Sequence, residues 1–271
     1  SIRSINSVNL IREHIEYQFA KFKQDPHRRD YLTFVVGGAG LTGIEFVAEL
    51  ADRLPKLSKK FDVDPSWTKL YCIEAASTIL PGFDPELVEY ARQSLEQNGV
   101  QFIIGTPIKE CHANSVVLAS GEEIRTATII WTGGIRGNSL LEKAGFEVTR
   151  SRIVVDSYLR IPGHDNIYVV GDCSICLNEE GKPYPPSAQI AMQQGFNCAH
   201  NLVATIRNEA LKEFRFENKG IVASLGKRNA IGVVGQHKIK GFKAAFLKRL
   251  IDIRYLYMIG GIPLVIRKAR F

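Results

Sequence analysis

The sequence predicts an α/β fold built around a buried parallel sheet, and three observations carry that prediction. A short apolar, β-branched run, Leu32 to Val36, has the composition of a strand covered on both faces. It runs directly into Gly38, Gly40 and Gly43, spaced G-x-G-x-x-G, and helical periodicity follows from Ile44 to Leu54. A second strand-like run, Lys69 to Glu74, ends in an acid. Strand, glycine turn, helix, strand and acid is the order of a Rossmann-like dinucleotide-binding unit. In such a unit the first glycine makes the tight turn, the second lets backbone approach a pyrophosphate, and the third lets helix and strand pack closely. The helix N-terminus offers unpaired N–H groups and a partial positive charge to the phosphates.

Composition bounds the rest. At 271 residues and 45% hydrophobic content, the chain has room for one large or two small domains with a proper core. Residues 227–271 hold eleven Lys or Arg and one acid, Asp252, and so carry +10; with +7 overall, residues 1–226 carry −3. Five cysteines, scattered and odd in number, are the usage of a reduced protein rather than of a disulfide scaffold. Cys173-Ser-Ile-Cys176 is a C-x-x-C pair that follows Gly171-Asp172 instead of a thioredoxin-type context, and it reads as structural. No apolar run reaches the ~20 residues of a spanning helix, and no signal peptide is visible. The six histidines show no metal-ligand spacing, so no metal is expected. The chain opens at Ser1 in a helix-like stretch, the start expected of a piece of something longer.

Taken in order, residues 8–22 place Val8, Ile11, Ile15, Phe19 and Phe22 on one helical face, with Asn6 or Ser7 as the cap. Gln24 to Asp30 is a polar connector. The helix after the glycines is expected from Leu41 to about Leu54, followed by a polar insertion, Pro55 to Thr68. That insertion would absorb the unusual distance to Glu74, which lies 36 residues after Gly38 against the usual ~20. Glu74 would accept hydrogen bonds from the ribose hydroxyls and repel a 2′-phosphate, favouring NAD over NADP. Asp84 caps a helix opened by Pro85 and stopped at Asn98-Gly99. Val100 to Ile104 is a third strand, and Pro107–Cys111 with Ser115–Leu118 form a hairpin around Ala113-Asn114. Ala127 to Trp131 is an apolar strand ending in Thr132-Gly133-Gly134, a place where backbone could meet a ligand.

Ile153–Tyr158 and Asn166–Val170 read as short strands. The second runs into Gly171-Asp172, a carboxylate placed to accept from a sugar or ribityl chain, or equally to cap a helix. Pro185 to Ile206 is a long helix on which Gln189 and Gln193, at i and i+4, share a face. Two uncharged amides there suit a ligand with polar carbonyls, or simply a solvated face. Phe214–Phe216, Gly220–Leu225 and Ala230–Val234 read as strands. From Gly241, Phe242, Ala245, Phe246, Leu250, Ile253 and Tyr257 recur at helical spacing among Lys243, Lys248, Arg249 and Arg254. This basic amphipathic helix suits a membrane interface with anionic headgroups, or a packed helix with a solvated basic face; nucleic acid is a weaker reading.

Together these stretches resemble the type II NADH:quinone oxidoreductases, single-subunit membrane-associated flavoproteins of respiratory chains. Val35 to Glu45 is similar to that family's NADH-binding loop, which adds Leu41 and Thr42 to Gly38, Gly40 and Gly43. Thr132-Gly133-Gly134 is similar to its second contact with the nicotinamide cofactor. Tyr168-Val-Val-Gly-Asp172 resembles the flavin motif of the wider superfamily, and Ala188-Gln-Ile-Ala-Met-Gln193 matches the family's A-Q-x-A-x-Q quinone motif. The resemblance implies a Rossmann-like flavoprotein with two dinucleotide-binding domains and a C-terminal amphipathic membrane-associating region. Residues 1–29 would be a connecting helix, 30–150 the NADH domain, 151–210 the C-terminal part of the FAD domain, and 211–271 the quinone and membrane region.

The implied cofactors are FAD and NAD(H), with a membrane quinone as substrate. FAD contacts would come from Gly171, Asp172, Ala188 and Gln189, and quinone contacts from Gln189, Gln193, Lys248 and Ile251. Glu45 would assist proton delivery. The resemblance further implies peripheral, monotopic attachment on the cytoplasmic side of the cell membrane, no ion pumping, and an anionic lipid surface and a second copy of the chain as partners. The family's earlier G-x-G-x-x-G, which holds the FAD adenosine, is not in this sequence, so about the first ~120 residues of such a protein are expected to be missing. Two other classes stay open. One is a soluble flavin reductase with a disulfide or iron–sulfur acceptor, which would leave the glutamine face and basic helix without a role. The other is a non-enzymatic NAD-sensing module.

Overall fold

The computed structural model describes Ile2 and residues 4–268. They fall into two compact units, residues 1–133 with 219–271, and residues 134–218. In the first unit α1 (Ile5–Gln24) is capped by Ser4, one residue before it. The Ser4 hydroxyl accepts from the Ser7 N–H and the Ser7 hydroxyl accepts from the Ser4 N–H. The cap is therefore Ser4, not Asn6 or Ser7, because only Ser4 has a hydroxyl three residues on to close this reciprocal box. Ile15, Phe19 and Phe22 are buried as expected, while Val8 is exposed.

The chain continues as β1 (Thr33–Gly37), α2 (Leu41–Phe61), β2 (Lys69–Glu74), α3 (Pro85–Gln97) and β3 (Val100–Ile104). Then come an antiparallel meander, β4 (Ile108–Cys111), β5 (Ser115–Leu118) and β6 (Glu123–Arg125), and finally β7 (Thr128–Trp131). The parallel sheet has the order β3-β2-β1-β7, with Gly37 opposite both Ile73 and Trp131. β1 is buried along its whole length, which explains its uninterrupted apolar composition.

The expected break at Pro55 does not occur: α2 runs through it to Phe61. Proline removes one helical hydrogen bond, but the turns beyond it bury Leu57 and Ser58 against the core, and packing prevails. The helix stops at Asp62, whose φ of 50° is left-handed. A longer helix, more than a loop, accounts for the distance between Gly38 and Glu74.

The second unit contains α4 (Leu140–Lys143), β8 (Ile153–Val154), a 3-10 turn at Gly171–Cys173, β9 (Ser174–Ile175) and α5 (Ala188–Arg207). The strand expected over 153–158 stops at Val154. Asp156 Oδ1 accepts from the N–H groups of Tyr158 and Arg160 and curls the chain away. Asn166–Val170 is not a strand either, since Tyr168 makes one isolated bridge, to Arg160. α5 begins after the two prolines, with Ser187 as its cap accepting from Ile190 N–H at 3.2 Å. Phe214–Phe216 is irregular, and side-chain amides hold its neighbourhood in place of a strand partner. Asn201 accepts from Lys212 N–H and donates to Lys212 O, and Gln193 does the same for Glu217.

The chain then returns to the first unit as an antiparallel sheet, β10 (Ile221–Ser224), β11 (Ala230–Val234) and β12 (His237–Lys240), and ends in α6 (Phe242–Lys268). β12 was not anticipated, because His237-Lys-Ile-Lys240 is too polar to read as a strand. α6 buries Ala244 and kinks at Gly261, where φ is 63°. Phe242, Phe246, Tyr257, Ile259, Ile262 and Ile266 remain exposed, Phe242 at 68% and Ile266 at 79%.

Candidate functional site

The glycine turn joins the C-terminal end of β1 to the N-terminus of α2. Gly38 sits at φ 105°, which side-chain-bearing residues rarely adopt, and its N–H donates to Ile73 O at 2.8 Å. A Cβ on Gly43 would lie 1.9 Å from Gly38 O, so only glycine lets α2 approach the turn this closely. A Cβ on Gly40 would meet nothing within 4 Å, and Gly40 caps α2 without a side-chain hydrogen bond. The first-turn N–H groups of α2 have no side-chain cap, and Leu41 and Thr42 beside them are exposed. The tight turn at Gly38 and the close helix packing at Gly43 are as expected, and Gly40 leaves the space beside it open.

The turn is held from below and from the side. Glu74, at the end of β2, accepts from Ala39 N–H at 2.6 Å and from Ala76 N–H at 2.9 Å. Its carboxylate thus braces the turn. Thr132 Oγ1 lies 3.0 Å from Gly37 O and 3.1 Å from Gly38 O, and can donate its proton to either. Thr132 N–H also donates to Gly37 O. Two carbonyls of the turn are thereby drawn toward β7. Trp131 Nε1 donates to Gly133 O at 2.7 Å and fixes the next turn. Beneath Gly38, burial and then the charge of Glu74 push the Cys72 thiol up to about 12, so it is a neutral core group.

Glu45 lies two residues past Gly43. Its Oε1 accepts from Ser224 N–H at 3.0 Å and pairs with Lys248 Nζ at 3.5 Å. The residue read as a proton carrier is thus also the link from α2 to β10 and α6. Both side chains are about one-third exposed, 35% for Glu45 and 30% for Lys248. Ile251 is exposed on α6.

In the second unit the 3-10 turn presents Asp172 to solvent, and its carboxylate has no hydrogen-bond donor among the described residues. Gly171, at φ 67°, brings the backbone close to α5, where a Cβ would stand 3.4 Å from that of Ala191. Beside it is a shallow cup lined by Arg152, Tyr184, Pro186, Ser187 and Ile190. An unpartnered carboxylate next to a helix N-terminus and a cup fits a sugar or ribityl hydroxyl. Ala188 is exposed at that N-terminus and Gln189 is half-buried one residue on. Gln193 is engaged at both ends of its amide by the Glu217 backbone, so it can meet a substrate carbonyl only by exchanging that pair. Cys173 and Cys176 are unbonded to each other. Burial pushes the Cys176 thiol up to about 11, with a further contribution from Asp156.

This geometry is that of a Rossmann-like α/β unit, and the comparisons with known proteins place it in a class of oxidoreductases. The pyridine nucleotide-disulphide oxidoreductase family matches residues 4–195. A Staphylococcus epidermidis type II NADH:quinone oxidoreductase is 43% identical over all of this chain and 68% of its own length. The Staphylococcus aureus protein of the same name is 42% identical over the same shares. The structure of NDH2 from Plasmodium falciparum in complex with NADH superposes with a TM-score of 0.84 at 17% identity, over 94% of this chain and 69% of that one. The chain belongs to the type II NADH:quinone oxidoreductases.

Proposed function

We propose that this chain oxidises NADH and passes its electrons through FAD to a quinone, with residues 30–150 serving NADH, 151–210 the flavin, and 211–271 the quinone and the membrane. The observation that carries this reading is the glycine turn, whose carbonyls are drawn away and whose helix N-terminus is left open beside Gly40. In this role the first-turn N–H groups of α2 hold the pyrophosphate of NADH, with Leu41 and Thr42 bordering it. Glu74 meets the adenosine ribose, and Thr132-Gly133-Gly134 lies along the nicotinamide half. Bound FAD supplies the two-electron relay between nicotinamide and quinone. Gly171, Asp172, Ala188 and Gln189 hold its sugar-alcohol side.

NADH gives up a hydride, two electrons and one proton, so a quinone leaving as quinol needs one further proton from solvent. Glu45 is the carboxylate proposed to pass it, with Lys248 Nζ 3.5 Å from its Oε1. Gln189, Gln193, Lys248 and Ile251 are the proposed quinone contacts. No ion transfer accompanies the reaction in this reading.

No helix among the described residues is long and apolar enough to cross a membrane. Attachment is proposed to be peripheral, on the cytoplasmic side, through the exposed apolar residues of α6 and its cations at an anionic surface. A second copy of the chain is a proposed partner. Separated half-reactions of the full-length enzyme test the reading. NADH should bleach the bound flavin, and quinone should restore it. Bleaching by NADH followed by reoxidation with a disulfide substrate but with no quinone would overturn it in favour of a soluble reductase.

A further inference from the structure

The turn that presents Asp172 is held by side chains the motif does not contain. Gln194 is 1% exposed, and its Oε1 accepts from Gly171 N–H at 2.6 Å. Because a backbone N–H can only donate, this contact fixes which way the amide faces. Ser174, 3% exposed, has its hydroxyl 3.2 Å from the same Oε1 and 2.9 Å from Gly171 O. Arg152 donates from Nε to Asp172 O at 3.1 Å and from Nη2 to Ser174 O at 2.8 Å. Gly171, Asp172 and Ser174 thus have their carbonyls held by the protein, and the first N–H of the turn is held as well. What the turn leaves exposed is the Asp172 carboxylate.

We infer that Gln194 is a positioning residue for the flavin site: its buried carbonyl oxygen fixes the Gly171 peptide and so aims Asp172 at a flavin sugar-alcohol hydroxyl. The side chain occupies a position where an apolar residue would serve packing. In α5 the buried stripe is Ile190, Gln194, Asn201 and Ala204. An apolar side chain at 194 would leave the N–H of Gly171 without its acceptor, at the residue whose left-handed φ starts the turn. This inference rests on the assignment of the flavin to Asp172.

The test is a double-mutant cycle on FAD affinity in the full-length enzyme, stripped of flavin and titrated with FAD. The variants are Gln194→Met, which keeps length and bulk but has no strong acceptor, Asp172→Asn, and the pair. Gln194→Met should weaken FAD binding about tenfold or more, the usual consequence of orphaning a buried N–H. Asp172→Asn should then cost markedly less in the Gln194→Met background than in the wild type. NADH affinity, read at the other unit, should be unchanged. Fully additive losses would overturn the inference by making Gln194 a core residue with no path through Asp172. Unchanged FAD affinity in Gln194→Met with a loss in Asp172→Asn would overturn it and leave the flavin assignment standing. Unchanged affinity in Asp172→Asn would remove that assignment, and the inference with it. If Gln194→Met does not fold, Gln194→Ala, which removes the acceptor without placing a new group there, makes the same cycle with Asp172→Asn, and the same additivity decides.

Discussion

Glu74→Gln separates the brace that the structure shows from the ribose role proposed for the same carboxylate. The substitution keeps shape and removes charge. The carboxylate accepts from Ala39 N–H and from Ala76 N–H with different oxygens, whereas an amide has only one oxygen, so one N–H loses its acceptor. A hydrogen bond to a charged acceptor is worth about 1.5–3 kcal/mol, so unfolding should shift down by several degrees. The second role is repulsion of a 2′-phosphate. Two unit charges at about 4 Å interact by about 4 kcal/mol near a protein surface, and screening of this half-exposed group reduces that to about 1–2 kcal/mol. The ratio of kcat/KM for NADH over NADPH should therefore fall about tenfold, chiefly through a gain with NADPH. Steady-state kinetics with both nucleotides and a thermal melt on the same preparation check both parts. A lower Tm with an unchanged ratio would refute the ribose assignment and leave Glu74 as a brace for the turn.

Thr132→Val removes the hydroxyl that draws Gly37 O and Gly38 O toward β7; KM for NADH should rise about fivefold and Thr132→Ser should restore it, measured by initial rates. Cys72 and Cys176 are buried and pushed up to about 12 and about 11, while Cys111 is exposed. Alkylation at pH 8 followed by mass spectrometry should therefore label Cys111 first and those two only on unfolding. The Arg28 guanidinium holds the Asp30 carboxyl below its usual range. A lowered folded value means stabilisation that is present above the unfolded pKa and lost as pH falls through the folded one. Asp30→Asn should thus be less stable at neutral pH and converge with wild type in acid, as followed by chemical denaturation across pH. Phe242→Ser and Phe246→Ser replace exposed side chains of α6 and should each weaken sedimentation with anionic vesicles severalfold without lowering Tm. Equal binding by the double variant would make that helix face a protein-packing surface.

The dinucleotide unit was legible because its signals are local. A β-branched run and three glycines with distinct steric duties lie within consecutive residues, an acid closes the next strand, and β1, β2 and β3 have boundaries close to those the sequence predicts. What was missed depends on partners distant in sequence. The helix continuing through Pro55 is decided by burial of Leu57 and Ser58, which periodicity at a proline cannot weigh. The strand expected at 166–170 fails because its neighbour curls around Asp156. At the candidate site, the motif residues stand out in the sequence and the side chains that support them do not. Thr132 was singled out for its glycines rather than for its hydroxyl. Gln194 went unnoticed beside Gln193, although an amide in register with the buried Ile190 is a sequence signal that something polar needs a partner there. Glu45 was readable as an acid in the first turns of a helix, but its bond to Ser224, far along the chain, was not.

The first unit is discontinuous in the chain, with residues 134–218 falling between its two parts. During synthesis the parallel sheet and α2 emerge before β10, with the acceptors Glu45 and Asp52 still lacking the N–H groups of Ser224 and Lys227 that they will bind. A whole second unit must leave the ribosome before those donors arrive. The first unit therefore reaches its final stability only after residues 134–218 and β10 have been made. An early stop before β10 would leave a glycine turn with its local hydrogen bonds in place but with one side of its helix bare, a ready target for chaperones and proteases.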